Sequence, residues 1–351
     1  MFLSKTLVAI PLLASLLISS NLYACSRVVS NFTGKDLLVG RNMDWFEPMH
    51  TKLWILPRGM ERNGETGDEN PMKWTSRYGS LATSVYDGAT AEGLNEKGLS
   101  ASLLYLSESD FGKRDPKIAG LSLSLWAQYF LDNYATVNEA LTDFKNKPFQ
   151  PVMASVGTKE TKKATVHLAL SDKTGDTAVL EYIDGKVQIH HGKEFTVMTN
   201  SPPYAAQLLN LKNYKGFGGS APLPGTTEAA DRFVRAAYYL KQLPDPKDSR
   251  EAVAGVLSVM RNVSQPFGTA DPSRPNISTT LWRTVSDLTQ GLFYFESTIS
   301  PNIVWVKLQE IDFGKEDKVK MLNLDNNPDL VGDVTEKFEP AEMFKFIPAG
   351  K

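Results

Sequence analysis

Cys25 is the one sulfhydryl in a chain of 351 residues, and an arginine and an aspartate follow it in the run CSRVVSNFTGKDLLVGRNMDW. A free thiol has a pKa of about 8.5 and is only a few per cent thiolate at neutral pH; a guanidinium beside it, here Arg41, lowers that value. If Cys25 becomes the first residue of a processed chain, its α-amine, with a pKa of about 7.7–8.0, can accept the thiol proton, and no histidine is needed. Asp44 then has the work of the third member of a triad, holding the base in place. Two bland readings fit the same residues. Free cysteine is commonly a small buried hydrophobe, and Arg41 with Asp44 can be an ordinary surface ion pair.

The residues before Cys25 bear on that choice. Lys5 precedes an apolar run from Leu7 to Ile18, followed by a short polar stretch ending in Tyr23 and Ala24. The run is shorter than the roughly 20 residues a membrane-spanning helix needs, so residues 1–24 read as a secretory signal peptide, with cleavage after Ala24. The expected mature chain is a single domain, 25–351, periplasmic or secreted. LYAC is also close to a lipoprotein signal, in which Cys25 is lipidated and its amine acylated. That would consume thiol and base together and leave a lipid-anchored binding protein. Tyr23, bulky where such signals carry a small residue, argues against it.

These side chains need strands to position them. SRVVS and DLLVG flank Thr33, Gly34 and Lys35, a hairpin signal. With the turn centred between Phe32 and Lys35, the numbers of paired residues sum to about 67, which sets Cys25 opposite Asn42 with Arg41 beside it and Asp44 just beyond. A second group of strands is expected in GSLATSVYDG, GLSASLLYL, ATVHLALS, DTAVLEYIDG, KVQIHHG and FTVMTN, and two more in GLFYFES and NIVWVKLQEIDF. Helices are expected in LSLSLWAQYFLDNYA, in VNEALTDFKN behind the cap Thr136, over about 227–243, and in SREAVAGVLSVMRNV. Strands and helices alternate in blocks rather than as βαβ units, which favours antiparallel sheets packed by helices.

The ordered set CSRVV, GRNMDWF, GLNEKGLSASLLYL, TNSPPYAAQLLNLKNY, DRFVRAAYYL, LWRTVSDLTQGLFYFES and NIVWVKL resembles the choloylglycine hydrolase and penicillin V acylase family of N-terminal nucleophile hydrolases, over nearly the whole chain after the leader. The resemblance implies an α+β fold, an αββα four-layer sandwich of two antiparallel sheets between helix layers. It implies hydrolysis of an unactivated amide with Cys25 as nucleophile, Arg41 tuning the thiol and Asp44 binding the α-amine. Asn200 resembles the side-chain donor to the oxyanion, the backbone N–H of Tyr105 the second donor, and Arg232 the arginine completing the charge network, with Arg235 its nearest rival. Tyr105 stands where bile salt hydrolases tend to carry Asn and penicillin V acylases an aromatic residue. It therefore leans toward penicillin V or another aromatic or long acyl group over a conjugated bile salt. Trp45 is a candidate for the acyl pocket. The leader matches exported relatives from Gram-negative bacteria, which are similar to enzymes acting on acyl-homoserine lactones. The region between Asn200 and the DRF helix, including GFGGS at 216–220, resembles an arm used in homotetramer assembly.

Other signals carry less. His190 and His191 are adjacent on an expected strand and point to opposite faces, and with His50 and His167 they form no spaced ligand set, so neither metal nor cofactor is expected. Lys and Arg total 38 against 40 Asp and Glu, a net charge of −2, which does not favour nucleic acid or an anionic membrane surface. The expected partner is a small-molecule N-acyl amide, with no stable membrane insertion.

Overall fold

The computed structural model describes residues 25–32, 36–67, 70–156, 162–163, 165–267, 278–314, 316 and 318–350. The expected leader, residues 1–24, and the turn residues 33–35 lie outside the described residues.

Two large sheets carry the structure. Strands β1 (Cys25–Asn31) and β2 (Leu37–Trp45) belong to a seven-stranded sheet in the order Val197–Met198, β1, β2, Thr279–Asp287, Leu292–Ser297, Ile303–Lys307, Gly332–Asp333. The nine-stranded sheet runs Lys186–His191, Thr177–Ile183, Val166–Asp172, Leu99–Tyr105, Ala89–Asn95, Ser80–Val85, Lys52–Leu56, Lys320–Leu322, Glu339–Pro340. Helices α1 (Trp126–Asn133) and α2 (Val137–Asn146) cover the outer face of the nine-stranded sheet. Helices α4 (Ala229–Gln242) and α5 (Ser249–Asn262) cover that of the seven-stranded one, and α3 (Tyr204–Leu211) packs against α4. The inner faces meet directly: Arg27 of β1 reaches across to the hydroxyls of Ser102 at 3.3 Å and Ser171 at 3.0 Å. This is the αββα sandwich expected from the order of motifs.

All nine residues of β2 are buried, because a sheet covered on both sides leaves no wet face. Gly40 shows how tightly α5 seats on it. A Cβ there would lie 2.7 Å from Val256 Cγ1 and 2.8 Å from Met260 Cγ, so only glycine lets the helix approach. Asn42, on the same face, donates its side-chain N–H to Met260 O at 2.8 Å and so meets a carbonyl near the end of α5.

Three features differ from the expectation. The hairpin register sums to 68, with Cys25 opposite Met43 and Ser26 opposite Asn42, because Asn31 pairs with Leu37 and the connection is five residues long. A one-residue slip exchanges faces. Cys25, Arg27, Arg41, Met43 and Trp45 therefore face the other sheet, and Ser26, Gly40, Asn42 and Asp44 face the helices. Second, the end of FTVMTN leaves its expected group, and Val197–Met198 pairs with β1. Third, strands Lys52–Leu56, Ala89–Asn95 and Thr279–Asp287 and helix α3 were not expected. Ala89–Asn95 is buried on both faces and so lacks the alternation that marks a strand. Helix α3 has no side-chain cap of its own; the carboxylate of Glu181, from the other sheet, accepts the N–H of its first residue, Tyr204, at 3.0 Å.

Candidate active site

The corrected register gathers the cavity face. Cys25, Arg41, Met43 and Trp45 from the hairpin, with Leu103, Tyr105, Val85, Ala89 and Leu123 across from them, line a cavity of about 100 Å³ whose walls are almost wholly apolar. The Cys25 sulfur lies 3.9 Å from both Met43 Sδ and the Asp44 carbonyl oxygen. Arg41 is fully buried, donates from Nη2 to Leu103 O at 3.0 Å, and lies with its guanidinium 4.5 Å from the centre of the Trp282 ring. Trp45 packs edge-on to Tyr105 at 6.2 Å.

The remaining expected residues stand behind that wall. The Cys25 N–H donates to Asn200 Oδ1, and Arg232 Nη2 donates to the same oxygen at 2.8 Å. Arg232 Nη1 donates to Cys25 O at 2.6 Å and lies 3.8 Å from Asp44 Oδ2. Arg235 turns away to the carbonyls of Pro224 and Thr226, so of the two arginines it is Arg232 that reaches Cys25. Asn200 Nδ2 donates to Tyr105 O at 2.7 Å, one of its two N–H groups. The bond from Leu106 N–H to Thr165 O makes Tyr105 and Val166 a non-hydrogen-bonded pair, so the Tyr105 N–H and C=O turn away from the Val166–Asp172 strand. Asp44 Oδ1 accepts from the Thr280 hydroxyl at 2.5 Å, while Oδ2 has no hydrogen-bond donor among the described residues. Arg41 and Asp44 are both fully buried and on opposite faces of β2, so they are not a surface pair.

Burial pushes the Cys25 thiol up; Arg41, the hydrogen bond at Asp44 and Arg232 pull the other way without overcoming it, and the Asp44 charge adds to the rise. Burial also pushes the Asp44 carboxyl up to about 6, against the pull of Arg232, Thr280, Arg41 and Arg283. Between its usual value of 3.8 and about 6, the folded chain keeps a proton that the unfolded chain has released, so this group costs stability as pH rises through that window. A shift of that size corresponds to about 3 kcal/mol at neutral pH. Asp44→Asn in the uncleaved chain is thus expected to raise the melting temperature by a few degrees at pH 7.5, with the gap closing at pH 4. A lower melting temperature at pH 7.5, read by thermal unfolding, would mean that the attraction of Arg232 outweighs burial.

Two charged residues of the inter-sheet layer were not anticipated. Glu92 Oε2 lies 3.8 Å from Arg41 Nε, and Arg27 bonds Ser102 and Ser171 beside it. Burial raises the Glu92 carboxyl and lowers the Arg27 guanidinium to about 10. An acidic residue inside the small apolar run ATAEGLN was the signal for Glu92. His191 pairs with Asp176 at 2.8 Å and His190 packs on Tyr204 from the other face; among the described residues no group of three or more His, Cys, Asp or Glu is placed to hold a metal ion.

The lone thiol thus lies in the wall of an apolar cavity between two covered sheets. The chain belongs to the linear amide C–N hydrolases of the choloylglycine hydrolase family, whose sequence model matches residues 25–321 and so begins at Cys25 itself. It is 40% identical over 368 aligned positions to the penicillin V acylase of Pectobacterium atrosepticum, with 98% of this chain and 97% of that one covered. Penicillin V acylase from Agrobacterium tumefaciens superposes with a TM-score of 0.83 at 45% identity, covering 92% of this chain and 99% of that one. A conjugated bile acid hydrolase from Clostridium perfringens shares the fold, with a TM-score of 0.72 at 20% identity over 85% of this chain and 96% of that one.

Proposed function

We propose that the protein is an exported amidohydrolase that releases the acyl group of penicillin V or of acyl-homoserine lactones, with the thiol of an N-terminal Cys25 as nucleophile. The observation that carries this reading is the position of Cys25, in the wall of a cavity lined by Trp45, Tyr105 and aliphatic side chains. Such a lining suits an aromatic or alkyl acyl group better than a hydroxylated steroid, whose hydroxyls would lose water without gaining partners.

In the full-length chain the Cys25 nitrogen is a peptide amide and cannot accept a proton. Cleavage after Ala24 supplies the base. The thiol proton passes to the α-amine, and the thiolate attacks the amide carbon. The oxyanion is held by the second N–H of the Asn200 side chain and the backbone N–H of Tyr105. The protonated amine then gives its proton to the leaving nitrogen, forming a thioester and free amine. Water, losing a proton to the same α-amine, attacks the thioester and releases the carboxylic acid. Asn200 Oδ1 already holds the Cys25 nitrogen, and Oδ2 of Asp44, which accepts no hydrogen bond among the described residues, supports its role as acceptor for the ammonium; Arg41 and Arg232 lower the cost of the thiolate. No helix among the described residues is long and apolar enough to cross a membrane. Homotetramer assembly through the arm is proposed on the resemblance, and the exposed loop around Gly216 and Gly218 is compatible with it.

The test is the intact mass and N-terminal residue of the exported protein, followed by turnover of phenoxyacetyl, acyl-homoserine lactone and glycine-conjugated steroid amides. A chain beginning with unmodified Cys25 that releases phenoxyacetic acid or a fatty acid is the expected result. A lipid-sized mass increase or another N-terminus would overturn it, and the anchored binding protein would replace it.

A further inference from the structure

Asn200 lies between the short strand Val197–Met198 and α3, outside any strand pairing, yet its side chain must meet the Cys25 nitrogen, Arg232 and Tyr105 at once. What fixes this segment comes from the opposite sheet. His167 and Glu181, on neighbouring strands, are buried and joined by a 2.8 Å bond from Nδ1 to Oε1. The other ring nitrogen of His167 lies 2.9 Å from Thr199 O, the carbonyl just before Asn200. Glu181 accepts the Tyr204 N–H on both oxygens, at 3.1 and 3.0 Å, just after the segment ends. Gln207 adds a bond to Asn200 O at 3.2 Å. Each ring nitrogen of His167 thus faces an oxygen, the Glu181 carboxyl on one side and the Thr199 carbonyl on the other. Burial alone would raise the Glu181 carboxyl, but the hydrogen bond and charge of His167 and the Tyr204 N–H hold it below the usual carboxylate range.

We propose that the His167–Glu181 pair is a positioning device for Asn200, clamping both ends of the 199–204 segment so that one sheet sets the oxyanion donor of the other. The inference rests on the role proposed for Asn200. Neither residue touches the Cys25 cavity, and each acts through the backbone it holds.

Two neutral substitutions separate anchoring from charge and packing. His167→Gln can place an N–H near the position of Nε2 and keep the bond to Thr199 O. His167→Asn reaches only as far as Nδ1, so it keeps Glu181 and loses Thr199. The expected result is a fall in kcat on the order of 10- to 100-fold for His167→Asn, with KM nearly unchanged, and a loss of no more than about threefold for His167→Gln. Hydrogen exchange at the Asn200 amide should speed up only in His167→Asn, while the Tyr204 amide, bound to Glu181, keeps its rate there. Equal exchange and equal kcat in the two variants would overturn the clamp. If the wild type hydrolyses none of the acyl amides, the proposed reaction falls, and the exchange comparison still decides whether the pair holds the segment.

Discussion

Cys25→Ala should bring release of the acyl group to background, a loss on the order of 10⁴-fold or more in kcat, while the fold survives. Under the proposed reaction every covalent step runs through this sulfur, and Cys25 is the only cysteine, so no second thiol can substitute. The stability cost is small by comparison. The sulfur makes only long contacts, 3.9 Å to Met43 Sδ and to Asp44 O, and removing one buried atom of this kind costs about 1 kcal/mol. Melting temperature and turnover should therefore separate cleanly. A chain that keeps Ala24 in peptide linkage should be equally inactive with its thiol intact, because the peptide nitrogen cannot take the thiol proton. The two inactive proteins differ in one assay: the extended chain should still react slowly with iodoacetamide, and Cys25→Ala should not react. Turnover by either would mean that another nucleophile or another base is at work.

Asn200→Ala is expected to lower kcat by about 10²- to 10³-fold, or roughly 3–4 kcal/mol in the barrier, with a smaller change in KM. The variant also removes Oδ1, which accepts from the Cys25 nitrogen and from Arg232, so a buried guanidinium loses an acceptor at about 1–3 kcal/mol of stability. Asn200→Asp separates the two effects. It keeps the oxygen that holds Cys25 and Arg232, and replaces the amide N–H groups with an acceptor that faces Tyr105 O. If donation to the oxyanion is the main role, the Asp variant should lose as much kcat as the Ala variant while melting nearer to the parent. An Asp variant with kcat close to the parent would assign Asn200 to holding the N-terminus and leave the oxyanion to other donors.

How legible these residues were depends on how local their causes are. The hairpin followed from the apolar runs on either side of Thr33-Gly34-Lys35, and Thr136 caps α2 as expected, its hydroxyl accepting the Glu139 N–H at 3.1 Å, because both signals lie within a few residues of what they control. The register was one residue out. Since β2 is buried on both faces, nothing in its own pattern says which residues look inward, and the close approach of α5 at Gly40 decides it. That single step moves Arg41 onto the face of Cys25 and Asp44 onto the face of Arg232. Helix α3 was missed for the same kind of reason, since its first N–H is met by Glu181 on another sheet rather than by a neighbouring Ser, Thr or Asp.

By itself the sequence determined the lone thiol, the apolar run that precedes it, and an ordered set of motifs sufficient for the sandwich fold and the family. Those are properties of composition, order and short-range pattern, which a linear chain carries in full. Only the tertiary structure decided which side of the hairpin faces the cavity, that Arg232 rather than Arg235 reaches Cys25, and that Glu92, His167 and Glu181 are buried polar groups around the site. Each of those turns on which atoms fill a buried volume shared by two sheets. Burial makes an unmatched charge or a missing donor expensive, so partners far apart in the chain are selected together, and their pairing leaves no mark in the local pattern of either.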